Sequence, residues 1–306
     1  MGSILVLGAN GFIGNCLVNE LLKEHEVVGY DALASTQFID HPRYQHIVGD
    51  YCTEKHFARI LRDYRISAVY HLICTSVPKP GTEHLEEEVV QNILPTLRLL
   101  DAMAETGVRR IIFSSSGGTV YGEGSVNRPN AEEDRLKPLC GYGVQKAAIE
   151  SYLHLYQHMH GLSPIIARIA NPYGPNFQRN RTQGIIPILI RKLVEGEHVE
   201  LYGDTIRDYL YIDDVIRALA SMIDYRGEET IFNVGSGEGI WLHDLIKCIE
   251  KVVGKTFSQI INCEIRSCDV CVNALDTKKI QKELGWNPTV PLLEGIRKTY
   301  LAMYED

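Results

Sequence analysis

Ile4-Leu5-Val6-Leu7-Gly8-Ala9-Asn10-Gly11-Phe12-Ile13-Gly14 decides how the rest of the chain is read. Four apolar residues closed by a glycine read as a buried strand. The G-x-x-G-x-x-G that follows opens an amphipathic stretch, Gly11–Leu22, that reads as a helix. Each glycine has a physical task. Gly8 permits a tight turn, Gly11 lets a pyrophosphate approach the backbone, and Gly14 lets helix and strand pack closely. A pyrophosphate would then rest on the free amides of the helix N-terminus, with Asn10, Phe12 and Ile13 around it.

Further strands are expected at Glu26–Tyr30, His46–Val48, Ala68–Ile73, Arg110–Ser114 and Pro164–Ile169. Helices are expected at Thr53–Tyr64, Val89–Thr106 and Gly143–His158. Strands separated by helical crossovers imply a parallel sheet covered on both faces. The expected fold is therefore α/β, a doubly wound parallel sheet of about six strands. From Asn171-Pro172-Tyr173-Gly174-Pro175 onward the pattern becomes mixed. Residues 1–170 are assigned to a Rossmann-type dinucleotide-binding domain and 171–306 to a smaller C-terminal α/β lobe, with the segment near 208–225 packing back onto the first.

Asp31 ends the second strand, where a carboxylate accepts hydrogen bonds from an adenosine ribose and repels a 2′-phosphate; NAD is the expected cofactor rather than NADP. Asp50 ends the third strand, placed for the adenine edge. Tyr51 beside it and Leu72 in the fourth strand are expected along the same wall.

The composition restricts the function. The formal net charge is −8, which argues against a general nucleic-acid-binding surface. No apolar run approaches the roughly 18 residues of a membrane span. The first strand begins almost at residue 1, without a basic leader, so the chain reads as cytoplasmic. Eight cysteines are scattered without a framework, which favours free thiols. Cys268-x-x-Cys271 lacks the second pair a zinc site needs, so no metal is expected.

Tyr142-Gly143-Val144-Gln145-Lys146 sets a phenol and an ammonium four residues apart, on one face of a helix. A neighbouring cation favours phenolate and lowers a tyrosine pKa from about 10. Tyr142 would then serve as general base and acid on a hydroxyl or carbonyl.

With these motifs in view, the chain resembles the extended short-chain dehydrogenase/reductases. The likeness is carried by the glycine-rich turn, Ser114-Ser115-Ser116-Gly117-Gly118-Thr119-Val120-Tyr121-Gly122, Tyr142–Lys146, Asn171-Pro172-Tyr173-Gly174, Arg207-Asp208-Tyr209, Arg266 with Asp269, and Leu284-Gly285-Trp286. Within that family it is most similar to the nucleotide-sugar 4-epimerases. The resemblance implies NAD, a UDP-sugar substrate and a homodimer. It implies that Lys146 also binds the nicotinamide ribose, that Asn92 and Ser115 support the cofactor pocket, and that Asn171 contacts substrate. Arg207 and Arg266 would hold the diphosphate, with Asp269 near the nucleotide ribose.

Two positions depart from the family pattern. Members usually carry Ser or Thr four residues before the Tyr-Gly pair, and here that residue is Gly117. Thr119 would face the same side if the segment is extended; Ser116 is the other candidate for the third catalytic hydroxyl. Gly118 and Thr119 replace the Asp-Glu pair of related dehydratases and leave out the acid–base pair for elimination. Asn273, four residues after Asp269, falls where the 4-epimerases limit sugar size, and a residue this small suggests room for an N-acetyl group. The resulting expectation is C4 epimerisation. A 4-ketoreductase of a deoxy-sugar nucleotide is the alternative, and a non-catalytic dinucleotide sensor the third reading.

Overall fold

The computed structural model describes residues 2–34, 40–78, 85–175 and 184–304. Its centre is a seven-stranded sheet, parallel throughout. The first six strands are β1 (Ser3–Leu7), β2 (Val27–Asp31), β3 (Tyr44–Val48), β4 (Ile66–His71), β5 (Arg110–Ser116) and β6 (Ser163–Ile169). The seventh, Ile231–Val234, lies outside β6, so the order across the sheet is 231–234, β6, β5, β4, β1, β2, β3. The order reverses at β1. In open α/β sheets, ligands bind beyond the carboxyl ends of the strands at such a switch point.

Alternation along β1 explains why so apolar a strand sits at the centre. Ile4 and Val6 face one core with Leu17, Val18 and Leu219; Leu5 and Leu7 face the other with Phe57, Leu99 and Leu153. The first layer is built by α1 (Phe12–Leu21), which the later α7 (Ile212–Met222) packs against. The second holds α2 (Phe57–Asp63), α4 (Leu94–Thr106) and α5 (Gly141–His160). The short α3 (Leu85–Glu88) precedes a π-helical turn, Val89–Ile93, which leads into α4.

Three sequence expectations are corrected here. The sheet has seven strands where about six were expected; the additional one, Ile231–Val234, comes from within the segment 171–306 assigned to the second lobe, far from the regular alternation of the first half. The second helix starts at Phe57, not Thr53. The stretch 89–106 is not one α-helix, since its first five residues are wound wider, a distortion frequent at functional sites.

After β6, a short strand, Asn171–Tyr173, pairs in parallel with Tyr209–Tyr211. α6 (Ile185–Glu195), the parallel strands Val199–Tyr202 and Ile260–Cys263, and the helices Leu242–Val253 and Leu292–Tyr304 make up most of the second lobe. Its C-terminal part is bolted to α7. The buried carboxylate of Asp214 accepts from the amides of Thr289 and Val290, each at 3.0 Å, and Trp286 donates its indole N–H to the Asp214 carbonyl at 3.0 Å. Among the described residues, no helix is long and apolar enough to cross a membrane. All eight cysteines are free thiols.

Candidate active site

The chain leaves β1 through Gly8, whose φ of 86° lies in the left-handed region. A Cβ on Gly14 would stand 1.9 Å from the Gly8 carbonyl oxygen, so the first turn of α1 sits directly on the backbone of the glycine turn. Gly11, Phe12 and Ile13 line the start of that helix and remain half-buried. Asp31, at the carboxyl end of β2, is tied to the same turn: its carboxylate accepts the Asn10 amide at 3.0 Å and the Leu33 amide at 3.4 Å. The Asn10 carboxamide in turn donates to the Leu33 carbonyl at 2.7 Å. Turn, helix N-terminus and carboxylate therefore form one cradle.

The rest of the expected wall is less direct. Asp50 is exposed two residues beyond β3, where it closes its own turn by accepting the Cys52 amide at 2.9 Å. The Tyr51 ring points into the core, its hydroxyl between His71 Nε2 at 2.8 Å and Thr96 Oγ1 at 3.0 Å, which leaves only its main chain on the cofactor side. Leu72 continues from β4, its amide on the Leu7 carbonyl at 3.1 Å, with its side chain against the core beneath. Asn92 is buried in the π-helical turn. Its carboxamide accepts the Thr75 amide at 2.9 Å and donates to the Thr75 hydroxyl at 2.9 Å, which pins the loop after β4.

α5 presents Tyr142 and Lys146 to the carboxyl end of β5. Lys146 is buried, its ammonium donates to the Ser114 carbonyl at 2.7 Å, and it lies 5.7 Å from the Tyr142 ring centroid. Burial lowers the Lys146 pKa. Burial raises that of Tyr142 well above its ordinary value; the nearby Cys74 thiol adds to this, and a hydrogen bond with Ser116 opposes it.

The structure thus brings Ser116 to the phenol. Thr119 does not face the side expected of it, because the chain is extended only as far as Ser116. The amides of Thr119 and Val120 fold back onto the Ser116 carbonyl at 3.2 and 3.0 Å. The strand alternation that would have aimed Thr119 ends there, and its buried hydroxyl has no partner. Ser115, one residue before, points to the opposite face of β5 and donates to the Glu150 carboxylate, so its hydroxyl does not face a cofactor.

Sequence reasoning did not single out Gln145, Cys74, Glu150 or Arg168. Gln145 donates to the Cys74 sulfur at 3.4 Å and to the Ser76 hydroxyl, locking the loop after β4 against α5. The available signal was positional, since Gln145 lies inside the Tyr–Lys motif and Glu150 four residues beyond Lys146.

In the second lobe, Asn171 reaches back to the Asp208 carbonyl with its amide at 3.0 Å and its carboxamide at 2.9 Å. Arg207 next to it is half-buried, with Nη1 on the Ile206 carbonyl at 2.9 Å. Arg266 and Asp269 form a two-point ion pair, at 2.7 and 3.1 Å, and the guanidinium lies 5.2 Å from the half-exposed ring of Tyr202. Asp269 is therefore committed to Arg266. Asn273 is corrected outright: it is fully buried and donates to the Gly117 carbonyl at 2.9 Å, so it supports the turn after Ser116 from below and exposes no wall to a sugar.

A cavity of about 480 Å³ opens at the far end of the sheet, lined by Arg109, Arg110 and Arg226 among others, and contains none of these residues. Among the described residues, no three His, Cys, Asp or Glu side chains form a metal-binding group.

A family model described as the NAD dependent epimerase/dehydratase family matches residues 4–235. A dTDP-4-dehydro-6-deoxyglucose reductase of Escherichia coli is 32% identical, with 96% of this chain and 95% of the relative covered. A UDP-glucose 4-epimerase of Mycolicibacterium smegmatis is 31% identical over 96% of both. The crystal structure of the UDP-glucose 4-epimerase of Thermotoga maritima with UDP-glucose superposes with a TM-score of 0.90 at 31% identity, covering 98% of each chain.

Proposed function

We propose, since this chain belongs to the NAD dependent epimerase/dehydratase family, that it inverts C4 of a UDP-hexose or UDP-N-acetylhexosamine through a 4-keto sugar, with NAD as resident cofactor. One observation carries the reading: the Tyr142 phenol stands between Ser116 and the buried ammonium of Lys146, at the carboxyl end of β5. The glycine turn that would hold the cofactor lies at the same end of the sheet.

The residues present fit NAD. The turn through Gly8, Gly11 and Gly14 offers backbone amides to a pyrophosphate, and Asp31 offers a carboxylate to a ribose. When bound, NAD supplies an acceptor and donor of hydride. The protein supplies the proton chemistry. Burial keeps the Tyr142 phenol protonated at neutral pH, so its base form depends on positive charge beside it; the Lys146 ammonium, 5.7 Å from the ring centroid, is placed to provide it. Tyr142 removes the proton of the 4-hydroxyl and later returns it, while Ser116 holds the sugar oxygen and the phenol in line. Gly118 and Thr119 bring no carboxylate to the positions where related dehydratases carry their Asp-Glu pair, which favours epimerisation over elimination.

Residues 1–170 hold NAD and 171–306 the nucleotide sugar, with segment 208–225 and the strand Ile231–Val234 returning to the first domain. Arg207 and Arg266 hold the diphosphate, and Asn171 the sugar. The flat Tyr202 ring beneath Arg266 offers a stacking surface for the base. The eight free thiols suit the cytoplasm.

The test is proton NMR of the purified protein with UDP-glucose and UDP-N-acetylglucosamine separately, adding only catalytic NAD. The expected result is conversion of one or both to the 4-epimer. The Escherichia coli reductase favours a second reading. No epimer, with stoichiometric consumption of NADH or NADPH on a 4-keto-6-deoxy sugar nucleotide, moves the assignment to ketoreductase.

The protein is also proposed to be a homodimer. Val90 and Leu94 near the start of α4, and Leu155 and Met159 one turn apart on α5, are exposed apolar side chains on the adjacent helices of one layer. Light scattering behind size-exclusion chromatography should give twice the chain mass of 34.5 kDa; monomer alone at micromolar concentration would remove the proposal.

A further inference from the structure

Glu150 lies one helical turn beyond Lys146 on the same face of α5. Two opposite charges at that spacing, both buried, would ordinarily pair. They do not. Both oxygens of Glu150 are taken by Arg168 of β6: its Nε donates to each at 3.2 Å and its Nη2 to Oε2 at 2.7 Å. Ser115 donates to Oε1 as well. The remaining guanidinium nitrogen of Arg168 donates to the Tyr121 hydroxyl at 2.9 Å and the Glu132 carbonyl at 2.9 Å. With the carboxylate saturated, Glu150 acts on Lys146 only through space, and the ammonium makes its contacts with the Ser114 carbonyl at 2.7 Å and with the Phe113 and Tyr142 rings, 4.7 and 5.7 Å from their centroids.

We propose that Arg168 and Glu150 are positioning residues for catalysis: Arg168 occupies the carboxylate that would otherwise draw Lys146 away from Tyr142, and the balanced pair leaves the ammonium beside the phenol. The inference deepens the reading of Tyr142 and Lys146 as the proton-transfer pair and rests on it.

The groups around this centre are few. From β5, Phe113, the Ser114 carbonyl, Ser115 and Ser116 face it; from β4 and its following loop, His71 and Cys74; from β6, Arg168; from the segment between β5 and α5, Tyr121, Glu132 and Cys140. Burial pushes the His71 pKa down to about 3, so that ring is neutral across the working range. Lys146, Glu150 and Arg168 are the charges that matter.

Glu150→Gln tests the idea with a definite sign. Arginine keeps its proton in proteins, so removing the carboxylate charge leaves an uncompensated guanidinium near Lys146 and Tyr142. Positive charge favours phenolate, and the Tyr142 titration should move to lower pH by about 1 unit. The charge-neutral double variant Glu150→Gln/Arg168→Gln should return it close to the wild-type value.

The readout is an ultraviolet titration of tyrosinate in the NAD-loaded protein, with Tyr142→Phe subtracted to isolate this phenol, run beside the pH profile of turnover. A shift in the single variant that disappears in the double one supports the proposal. No shift in the single variant, or an equal shift in both, overturns it. The absorbance titration needs no sugar substrate. Failure to turn over any UDP-sugar would therefore count against the proposed reaction while leaving this inference to its own result.

Discussion

Tyr142→Phe is expected to reduce turnover by about a thousandfold, in the range lost when one general acid–base group is removed, while NAD remains bound. The substitution deletes one oxygen and keeps the ring. The elements around it have their own supports: Lys146 is anchored on the Ser114 carbonyl, and the loop after β4 is held by Asn92 and Gln145. Neither the glycine turn nor Asp31 touches the phenol in the contacts described above. The loss should therefore appear in kcat, with NAD affinity by calorimetry unchanged within a few-fold. Ser116→Ala should follow with a smaller fall, and Thr119→Val should have less effect still, because the hydroxyl of Ser116 reaches the phenol. Residual Tyr142→Phe turnover above a tenth of wild type would remove Tyr142 from its role.

Gly14→Val should be the most damaging single change for cofactor binding. Its Cβ would meet the Gly8 carbonyl oxygen at 1.9 Å, the Gly8 carbonyl carbon at 2.8 Å and the Ala9 Cα at 3.1 Å. All three are backbone atoms, so no side chain can move aside. The first turn of α1 must lift from the end of β1, carrying the pyrophosphate amides out of place. A cost of about 3 kcal/mol in stability is expected from overpacking at this point, with NAD affinity lost. Gly107→Ala is the control. Nothing stands within 4 Å of its Cβ, but its φ is 80°. That substitution should cost about 1 kcal/mol of backbone strain and leave NAD binding intact. Urea unfolding and calorimetry separate the two outcomes; a soluble Gly14→Val protein that binds NAD normally would refute the packing argument.

Much of the fold was legible because its signal was local and repeated. Buried parallel strands read as short apolar runs, and the glycine spacing after Leu7 admits few alternatives. The seventh strand was missed for a physical reason. Ile231–Val234 is only four residues long and sits outside the βα alternation, and what makes it a strand is the edge of β6 waiting for it. The Tyr–Lys pair was legible because helical periodicity converts spacing into proximity. The third hydroxyl was not. Whether Ser116 or Thr119 meets the phenol depends on where the chain stops being extended, and two amides on one carbonyl decide that. Asn273 shows the opposite failure. Its position in sequence suggested a wall of the sugar pocket, whereas its burial and its bond to Gly117 make it part of the scaffold.

The outermost strand has a consequence for synthesis. β6 is complete at residue 169, yet the strand that covers its open edge ends at residue 234. A ribosome emits the whole intervening stretch before that edge can be sealed. At about 5–20 residues per second, the nascent sheet spends several seconds with a row of unpaired amides and carbonyls, the surface from which intermolecular strand addition starts. Truncation after residue 170 would make that interval permanent, and the amino-terminal half expressed alone should collect in inclusion bodies even though it carries the entire glycine turn.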